Sequence, residues 1–145
     1  MQVSEIMTRE VETVAPDASL QQAASTMEAL GVGSLPVCDG RRLIGTITDR
    51  DIVVRGVAAG LSPVETLVHD CMTDDVAYAF CDEEADEVLE RMKTLQVRRL
   101  PVLDRDKLMM GIVALGDIAT EPRAAALASV GSAVAEISEP SRPRK

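Results

Sequence analysis

The sequence predicts an α/β fold made of two tandem copies of one repeat, each reading strand, helix, strand, strand, helix. A shift of 65 residues places Leu35-Pro36-Val37 on Leu100-Pro101-Val102. After a one-residue insertion the shift becomes 66, and Gly45 then meets Gly111. Within each copy, apolar residues recur at helical spacing, and short apolar runs are bounded by turn residues. The duplication, the helical spacing and the short apolar runs together predict the fold.

Length and composition agree with a pair of packed repeats. The 145 residues are 46% apolar and 27% charged, which is typical of a globular chain. One repeat of about sixty residues is too small to bury its apolar face alone, so we expect the two to pack sheet to sheet with pseudo-twofold symmetry and two equivalent clefts. Aromatic residues supply only 1%, which leaves an aliphatic core and excludes an aromatic box.

The first strand and the first helix have clear local signals. Val11–Val14 is a short extended segment that Pro16-Asp17 closes. Ser19 is predicted to cap a helix, with Gln22 completing a capping box. Gly31 is predicted to end that helix. The residues expected to follow its apolar stripe are Leu20, Ala23, Ala24, Met27 and Leu30.

A hairpin and a second helix complete the repeat. Ser34 to Cys38 is an apolar strand, and Asp39-Gly40 turns the chain into a strand from Leu43 to Ile47. A second helix is predicted to begin near Thr48. The residues that it is expected to carry inward are Ile52, Val53 and Val54.

These patterns divide the chain into three predicted segments. Residues 1–60 form the first repeat with its linker, 61–121 the second repeat, and 122–145 an Ala-rich helix followed by a loose tail. Ser62-Pro63-Val64-Glu65 has Pro at the first helical position behind a Ser cap, so a short helix is expected there. Methionines at matching places in the repeats are expected to fill the cores: Met7, Met27, Met72 and Met92.

Charge and residue counts exclude several function classes. The net charge is −9, which disfavours nucleic acid as a partner. We find no apolar run long enough for a bilayer and no signal-peptide pattern, so a cytoplasmic protein without a membrane partner is expected. The one histidine, His69, and three unpaired cysteines leave catalytic triads and common metal sites without their parts. We therefore predict no catalytic residue, no metal and no enzyme.

The string Gly45-Thr46-Ile47-Thr48-Asp49-Arg50-Asp51 carries the most chemistry, because it crosses from a strand into a helix, where free N–H groups would favour an anion. It has two interpretations. Thr48 and Asp51 are placed to form a capping box, which would only stabilise the helix. Alternatively, Asp51 accepts both hydroxyls of a ribose, with Thr48 assisting.

Further motifs, spread over roughly Ser4 to Ala119, favour the second interpretation. They are Ile6-Met7-Thr8, Asp70-Cys71-Met72-Thr73, the two Leu-Pro-Val triplets, the two Gly-to-Asp strings, Thr48 to Gly60, and Val97 to Val102. In this combination they resemble the cystathionine β-synthase (CBS) domain pair of the stand-alone bacterial type. The resemblance implies a regulatory module that binds an adenosyl ligand in the cleft between its repeats. AMP, ADP or ATP are the expected ligands, with NAD and S-adenosylmethionine as further candidates.

The resemblance also implies roles for individual residues. Thr48 and Asp51 would hold the ribose and phosphate, and Arg98 and Arg99 would reach the phosphate. Arg50 either joins them or neutralises its neighbour. The base would lie against the first strand and the Pro-Val strand, on Thr13, Val14, Pro36 and Val37.

The second repeat departs from the pattern, because Ala114 stands where Thr is expected. Without a hydroxyl at this position, a second, weaker site is expected at Asp117. Tyr78 either borders that site or is a tyrosine at the rim of the fold. The remaining residues of that site would be Ala79, Pro101 and Val102.

The resemblance implies a homodimer that requires no cofactor and acts on an effector protein that the sequence does not identify. Binding of the nucleotide would shift the packing of the repeats and so alter contact with that protein. The alternative is an interaction or scaffold protein with vestigial nucleotide sites.

Overall fold

The computed structural model describes residues 1–121 and confirms the α/β fold with its repeated order of elements. The predicted Ala-rich helix and tail at residues 122–145 lie outside the described residues. The described chain forms two compact units. Unit 1 comprises Met1–Glu10, Ala77–Asp106 and the described residues from Met110 onward, and unit 2 comprises Val11–Val76 and Lys107–Met109.

Helix α1 (Leu20–Leu30) of unit 2 begins and ends as predicted. The Gln22 N–H donates to Ser19 Oγ at 3.1 Å, and Gln22 Oε1 accepts from the Ser19 N–H at 2.9 Å. Gly31 ends the helix with φ of +67°. Leu30 was expected to follow the buried stripe, but it is 48% exposed, because α1 ends there, past its last core residue Met27. Ala24 is exposed as well.

Strands β1 (Ser34–Asp39) and β2 (Arg42–Thr48) form the predicted hairpin, with Gly40 in its turn. Since side chains alternate along a strand, the hairpin has two distinct faces. Leu35, Val37 and Ile47 are buried in the core of unit 2, whereas Pro36, Thr46 and Thr48 belong to the opposite face.

The first predicted strand is reduced to one residue. Only Val14 pairs, in a parallel bridge to Val37, with its N–H donating to Pro36 O and its carbonyl accepting from the Cys38 N–H. This pairing places the Val14 side chain in the core. The rest of Val11–Val14 forms no strand, so the prediction was wrong in extent.

After β2, helix α2 (Asp49–Asp51) continues directly into a π-helical turn, Ile52–Val57. Here the Ala58 N–H donates to Val53 O, five residues back, so the helix no longer follows the α-helical period. Gly56 is buried, while Val53 and Val54 are 55% and 49% exposed. Ile52 packs against the core as predicted, but the prediction for the two valines was wrong, because three consecutive residues of a helix cannot all face the same side.

The linker contains a turn where a helix was predicted. The Glu65 N–H lies 3.4 Å from Ser62 Oγ, so the cap exists, but the helix forms later, as α3 (Val68–Cys71). Val68 and Cys71 are fully buried and join the core of unit 2.

Unit 1 repeats this plan. Its sheet has the order β3 (Ala79–Phe80), β4 (Arg99–Leu103), β5 (Met109–Ala114), with β3 parallel to β4. Helices α4 (Ala85–Leu95) and α5 (Leu115–Ala119) pack with it, as does a 3-10 turn, Val3–Glu5. Every helix within residues 1–121 is too short or too polar to span a bilayer.

The compact units do not coincide with the sequence repeats, because the segment at the start of each repeat pairs with the hairpin of the other repeat. Thr8 forms an antiparallel bridge with Ile112 of β5, and Thr73 forms one with Thr46 of β2. Met7 accordingly lies in the core of unit 1, while Met72 packs against the core of unit 2. The repeat boundaries inferred from the sequence stay a prediction.

Gly45 and Gly111 occur where these bridges form. A Cβ on Gly45 would lie 2.7 Å from Thr73 O, and one on Gly111 would overlap Thr8 O. Both glycines therefore have the same structural reason: the backbone of the preceding segment approaches too closely for any side chain.

We predict that Gly45→Ala lowers the free energy of unfolding by about 1–3 kcal/mol, because the Thr73 backbone cannot move away without breaking its bridge. Urea unfolding followed by far-UV circular dichroism measures this. Gly116→Ala is the matched control, since that glycine lies in α5 with nothing within 4 Å of its Cβ position. Equal stabilities of the Gly45→Ala variant and the wild type would contradict the packing argument.

Candidate functional site

Thr48 and Asp51 form the capping box that the sequence predicted. The Asp51 N–H donates to Thr48 Oγ1 at 3.0 Å, and the Thr48 N–H donates to Asp51 Oδ2 at 3.0 Å. The Asp51 side chain is only 13% exposed. Its Oδ2 thus has a structural role, while Oδ1 has no part in the box. The structure confirms the capping interpretation of the string, and the cap uses one of the two carboxylate oxygens.

The N–H groups at the start of α2 already have acceptors. The Asp49 N–H donates to Gly33 O at 2.9 Å, and the Arg50 N–H donates to Asp49 Oδ1 at 2.8 Å. The Asp51 N–H is taken by Thr48. The expectation of free N–H groups that bind an anion here was therefore wrong, and a phosphate would need cationic side chains instead.

The predicted base-contacting residues separate onto two faces of the hairpin. Pro36 pairs with Thr46, and Ser34 pairs with Thr48. Because the two pairs are two residues apart along each strand, Pro36 and Thr48 lie on the same face of the hairpin. Val14 and Val37 instead face the core, with 7% and 0% exposure.

Thr13 is exposed and alternates with Val14 along the chain. Pro36 and Thr48 therefore lie on one face of the hairpin, where Pro36 is buried and Thr48 half-buried, while Val14 and Val37 face the core.

The predicted phosphate-binding arginines lie in different units. Arg50 is exposed on α2 of unit 2. Arg98 and Arg99 belong to unit 1, immediately before and at the start of β4, and both are exposed. The Arg98 carbonyl accepts from the Leu115 N–H at 2.7 Å, just as the Gly33 carbonyl accepts from its counterpart in unit 2.

In unit 1 the capping box is only half formed. Asp117 Oδ2 accepts from the Ala114 N–H at 2.9 Å, which matches Asp51 in unit 2. Ala114 has no oxygen to offer the Asp117 N–H, so the return bond is missing. The same backbone bond therefore orients the acidic residue in both units, and the N-cap hydroxyl is one difference between them.

A second difference lies at the edge of β3. The Tyr78 carbonyl accepts from Arg91 Nη1 at 2.9 Å, and the same nitrogen lies 2.8 Å from Glu83 Oε2. The Tyr78 ring packs edge-on against Phe80, with centroids 5.4 Å apart. Hence the carbonyl at this position, which corresponds to Thr13 in the first repeat, is already bonded within unit 1.

The other residues of the predicted second site follow the sheet. Ala79 is fully buried and pairs with Val102, which is also buried, whereas Pro101 is half-buried.

Two cysteines lie close to the site in unit 2, and both are poor nucleophiles. Burial raises the pKa of the Cys71 thiol, and the Asp70 carboxylate adds to the rise. Burial also raises the pKa of the Cys38 thiol, although a hydrogen bond with Thr13 offsets part of it. Since the thiolate is the reactive form, both remain protonated near neutral pH. Within residues 1–121, no three His, Cys, Asp or Glu side chains cluster to hold a metal ion.

Sequence reasoning missed two features beside Asp51. Arg55 Nη1 donates to Met72 O at 3.0 Å, a contact between residues 17 apart that no local pattern indicates. A shallow groove of about 540 Å³ runs between the end of α1 and the start of α2, past Met27, Asp49 and Val53. The run of valines after Asp51 is the feature of the sequence that could have indicated this groove, if the valines had been predicted to be exposed.

Comparison with known proteins identifies the family. The CBS domain model matches residues 3–56 and 68–123. CBS domain-containing protein YhcV of Bacillus subtilis (strain 168) is 38% identical over 136 residues, which cover 94% of this chain and 94% of that protein. Hypoxic response protein 1 of Mycobacterium tuberculosis is 40% identical over 116 residues, covering 79% and 80%.

Solved structures agree with these relatives. The crystal structure of Hypoxic Response Protein I with two coordinated zinc ions has a TM-score of 0.73 at 38% identity, covering 82% of this chain and 97% of that chain. The CBS domain pair of protein MJ0100, in complex with 5′-methylthioadenosine and S-adenosyl-L-methionine, has a TM-score of 0.67 at 28% identity, covering 82% and 93%. The family resemblance seen in the sequence is confirmed.

The two capping boxes predict opposite effects of exchanging their N-cap residues. Thr48→Val should cost about 1 kcal/mol of stability, because the Asp51 N–H loses its acceptor. Ala114→Thr should add stability, up to about 1 kcal/mol, because it supplies the missing oxygen to Asp117. Urea midpoints of both variants measure this. A loss of stability in Ala114→Thr would show that unit 1 has no room for the hydroxyl.

Proposed function

This chain belongs to the CBS-domain family, and we propose that it is a non-enzymatic regulatory module that binds an adenosyl ligand through Thr48 and Asp51. The observation that carries the proposal is the state of the Asp51 carboxylate. It is 13% exposed and oriented by the Thr48 N–H, and its Oδ1 lies outside the capping box. A carboxylate fixed in this way accepts the two hydroxyls of a ribose without first losing its own freedom.

The ligand class is supported by the relative that was solved with adenosyl compounds. 5′-Methylthioadenosine and S-adenosyl-L-methionine both contain an adenosine, and only the group beyond the 5′ carbon differs. The adenosine is thus the part that the two compounds share, and the hydroxyls of its ribose suit recognition by one carboxylate. For this chain we propose AMP, ADP or ATP, with NAD and S-adenosylmethionine as further candidates, since the exposed Arg50 offers a cation in unit 2 and the family resemblance assigns Arg98 and Arg99 to the phosphate.

Regulation would follow from a difference in ligand affinity between two arrangements of the protein. A ligand shifts such an equilibrium only by that difference. Micromolar binding makes about 8 kcal/mol available, more than a packing change of a few kcal/mol requires. The effector protein and the cytoplasmic location stay predictions from the sequence.

Asp51→Ala is predicted to weaken AMP binding at least about a hundredfold, since two hydrogen bonds to a charged group are lost. Isothermal titration calorimetry of the wild type should give one strong site per chain. Asp117→Ala is the matched control: it removes the same half-box from unit 1 and should change the strong site less than about threefold. Arg98→Ala with Arg99→Ala should weaken AMP more than adenosine.

Equal binding by the Asp51→Ala variant would contradict the assignment, as would two equal sites per chain. If the wild type binds none of these ligands, the scaffold interpretation replaces the sensor. The chain has no Trp and one Tyr, so a co-purified nucleotide would be visible at once in the ultraviolet spectrum.

We also propose that the protein is a homodimer that uses an apolar surface along residues 53–67. Its members are aliphatic and between 40% and 63% exposed: Val53, Val54, Val57, Leu61, Val64 and Leu67. A twofold interface places the same patch on both partners, and an aliphatic patch is complementary to itself. Exposed apolar surfaces of this kind are typical of interaction sites.

Val57→Glu is predicted to convert the dimer to a monomer of 15.5 kDa, because two buried carboxylates would face each other near the twofold axis. Size-exclusion chromatography with light scattering measures the mass. Ala77→Glu, at an exposed apolar residue outside this surface, should leave the dimer intact. A monomeric wild type, or dissociation by the control alone, would refute the interface.

A further inference from the structure

Arg55 connects the Asp51 carboxylate with the end of α3. Its Nη1 donates to Met72 O at 3.0 Å and lies 3.4 Å from Cys71 O, and its Nε lies 4.0 Å from Asp51 Oδ1. The last carbonyls of a helix have no partner within the helix, so a guanidinium is a favourable donor to them. The Arg55 side chain is 52% exposed, so these carbonyls rather than burial determine its position.

The contacts continue from Met72 back to the site. Thr73 and Thr46 exchange backbone hydrogen bonds of 2.8 and 2.9 Å. Thr46 lies two residues before Thr48 on β2, and Thr48 shares the capping box with Asp51. Asp51, Arg55, the Met72–Thr73 segment and β2 therefore form one closed loop of contacts within unit 2.

We propose that Arg55 is the positioning residue of the adenosyl site and couples ligand occupancy at Asp51 to the Cys71–Thr73 segment. This inference rests on the proposed function. Arg55 approaches the carboxylate oxygen that is outside the capping box, which is the oxygen assigned to the ligand hydroxyls. It acts on that oxygen by its charge, while Thr48 holds the other oxygen.

The coupling is reciprocal by thermodynamic linkage. A ligand that immobilises the Asp51 carboxylate favours the Arg55 conformer bonded to Cys71 and Met72. Conversely, loss of those carbonyl bonds leaves the Asp51 carboxylate held by the Thr48 N–H alone and weakens binding of the ligand. The Met72 and Thr73 amides, which donate to Val68 O and Thr46 O, should report the ligand although they need not touch it.

The test compares adenosine with AMP on Arg55→Met, which keeps most of the aliphatic stem and removes every donor. Positioning through Asp51 predicts about tenfold weaker binding for both ligands, because both have the ribose. A direct contact between Arg55 and phosphate predicts a loss for AMP alone. Arg55→Lys, which keeps the charge and one donor, should restore part of the affinity for both.

Hydrogen exchange supplies a readout that loss of stability does not produce. In the wild type, adenosine should slow exchange at the Met72 and Thr73 amides, and this protection should disappear in Arg55→Met at saturating ligand. Arg9→Met is the matched control. Arg9 is an exposed arginine that donates to a backbone carbonyl, Ser4 O, in unit 1. It should change neither affinity nor protection.

Three results would overturn the inference. Wild-type affinities in Arg55→Met would remove the positioning role, and a loss restricted to AMP would make Arg55 a phosphate ligand instead. Ligand protection that persists in Arg55→Met would remove the coupling. These three results leave the proposed function standing. A fourth result, a wild type that binds neither adenosine nor AMP, would refute the proposed function and this inference together.

Discussion

The close approach of two backbones at Gly45 constrains everything built around the candidate site. Thr73 can pair with Thr46 only because the next residue back has no side chain, and that pairing holds the final stretch of β2 in place. β2 ends at Thr48, which begins α2 and orients Asp51. A glycine that touches no ligand thus determines where the acidic side chain lies. Gly111 and Thr8 repeat the arrangement in unit 1, so the glycine of each string serves the packing of the chain.

Asp51 uses only part of its carboxylate as a capping residue. A carboxylate has two oxygens, and a capping box needs only one of them. The box orients the side chain before any ligand arrives, which lowers the entropic cost of binding. Asp117 is held in the same way by the Ala114 N–H, so this backbone bond does not distinguish the units. They differ in the missing hydroxyl at Ala114 and in Arg91, which already bonds the Tyr78 carbonyl. Two duplicated positions can therefore differ in their surroundings while both keep the acidic residue.

Local features of this fold could be predicted from the sequence, and contacts distant in the chain could not. The boxes at Ser19 and Thr48 were predictable because each joins residues three apart. The duplication fixed the order of elements, but periodicity does not say which copy a segment pairs with. For that reason the bridge from Thr73 to Thr46 was missed, although paired glycines inside strands are a signal of close backbone approach. The contact from Arg55 to Met72 left no signal, since an arginine after a cap is ordinarily a solvated charge.

The helical segment from Ile52 to Val57 has an inner and an outer side. Ile52 packs against the core of unit 2, and Gly56, four residues further on, is buried on the same side. The Cβ position of Gly56 lies 2.8 Å from Leu20 and 4.0 Å from Cys71 Sγ, so this side lies close against α1 and α3, and Arg55 is within reach of the last carbonyls of α3. Val53, Val54 and Val57 remain exposed on the outer side. One short helical segment therefore carries both the outer apolar surface and the arginine that connects α3 with Asp51.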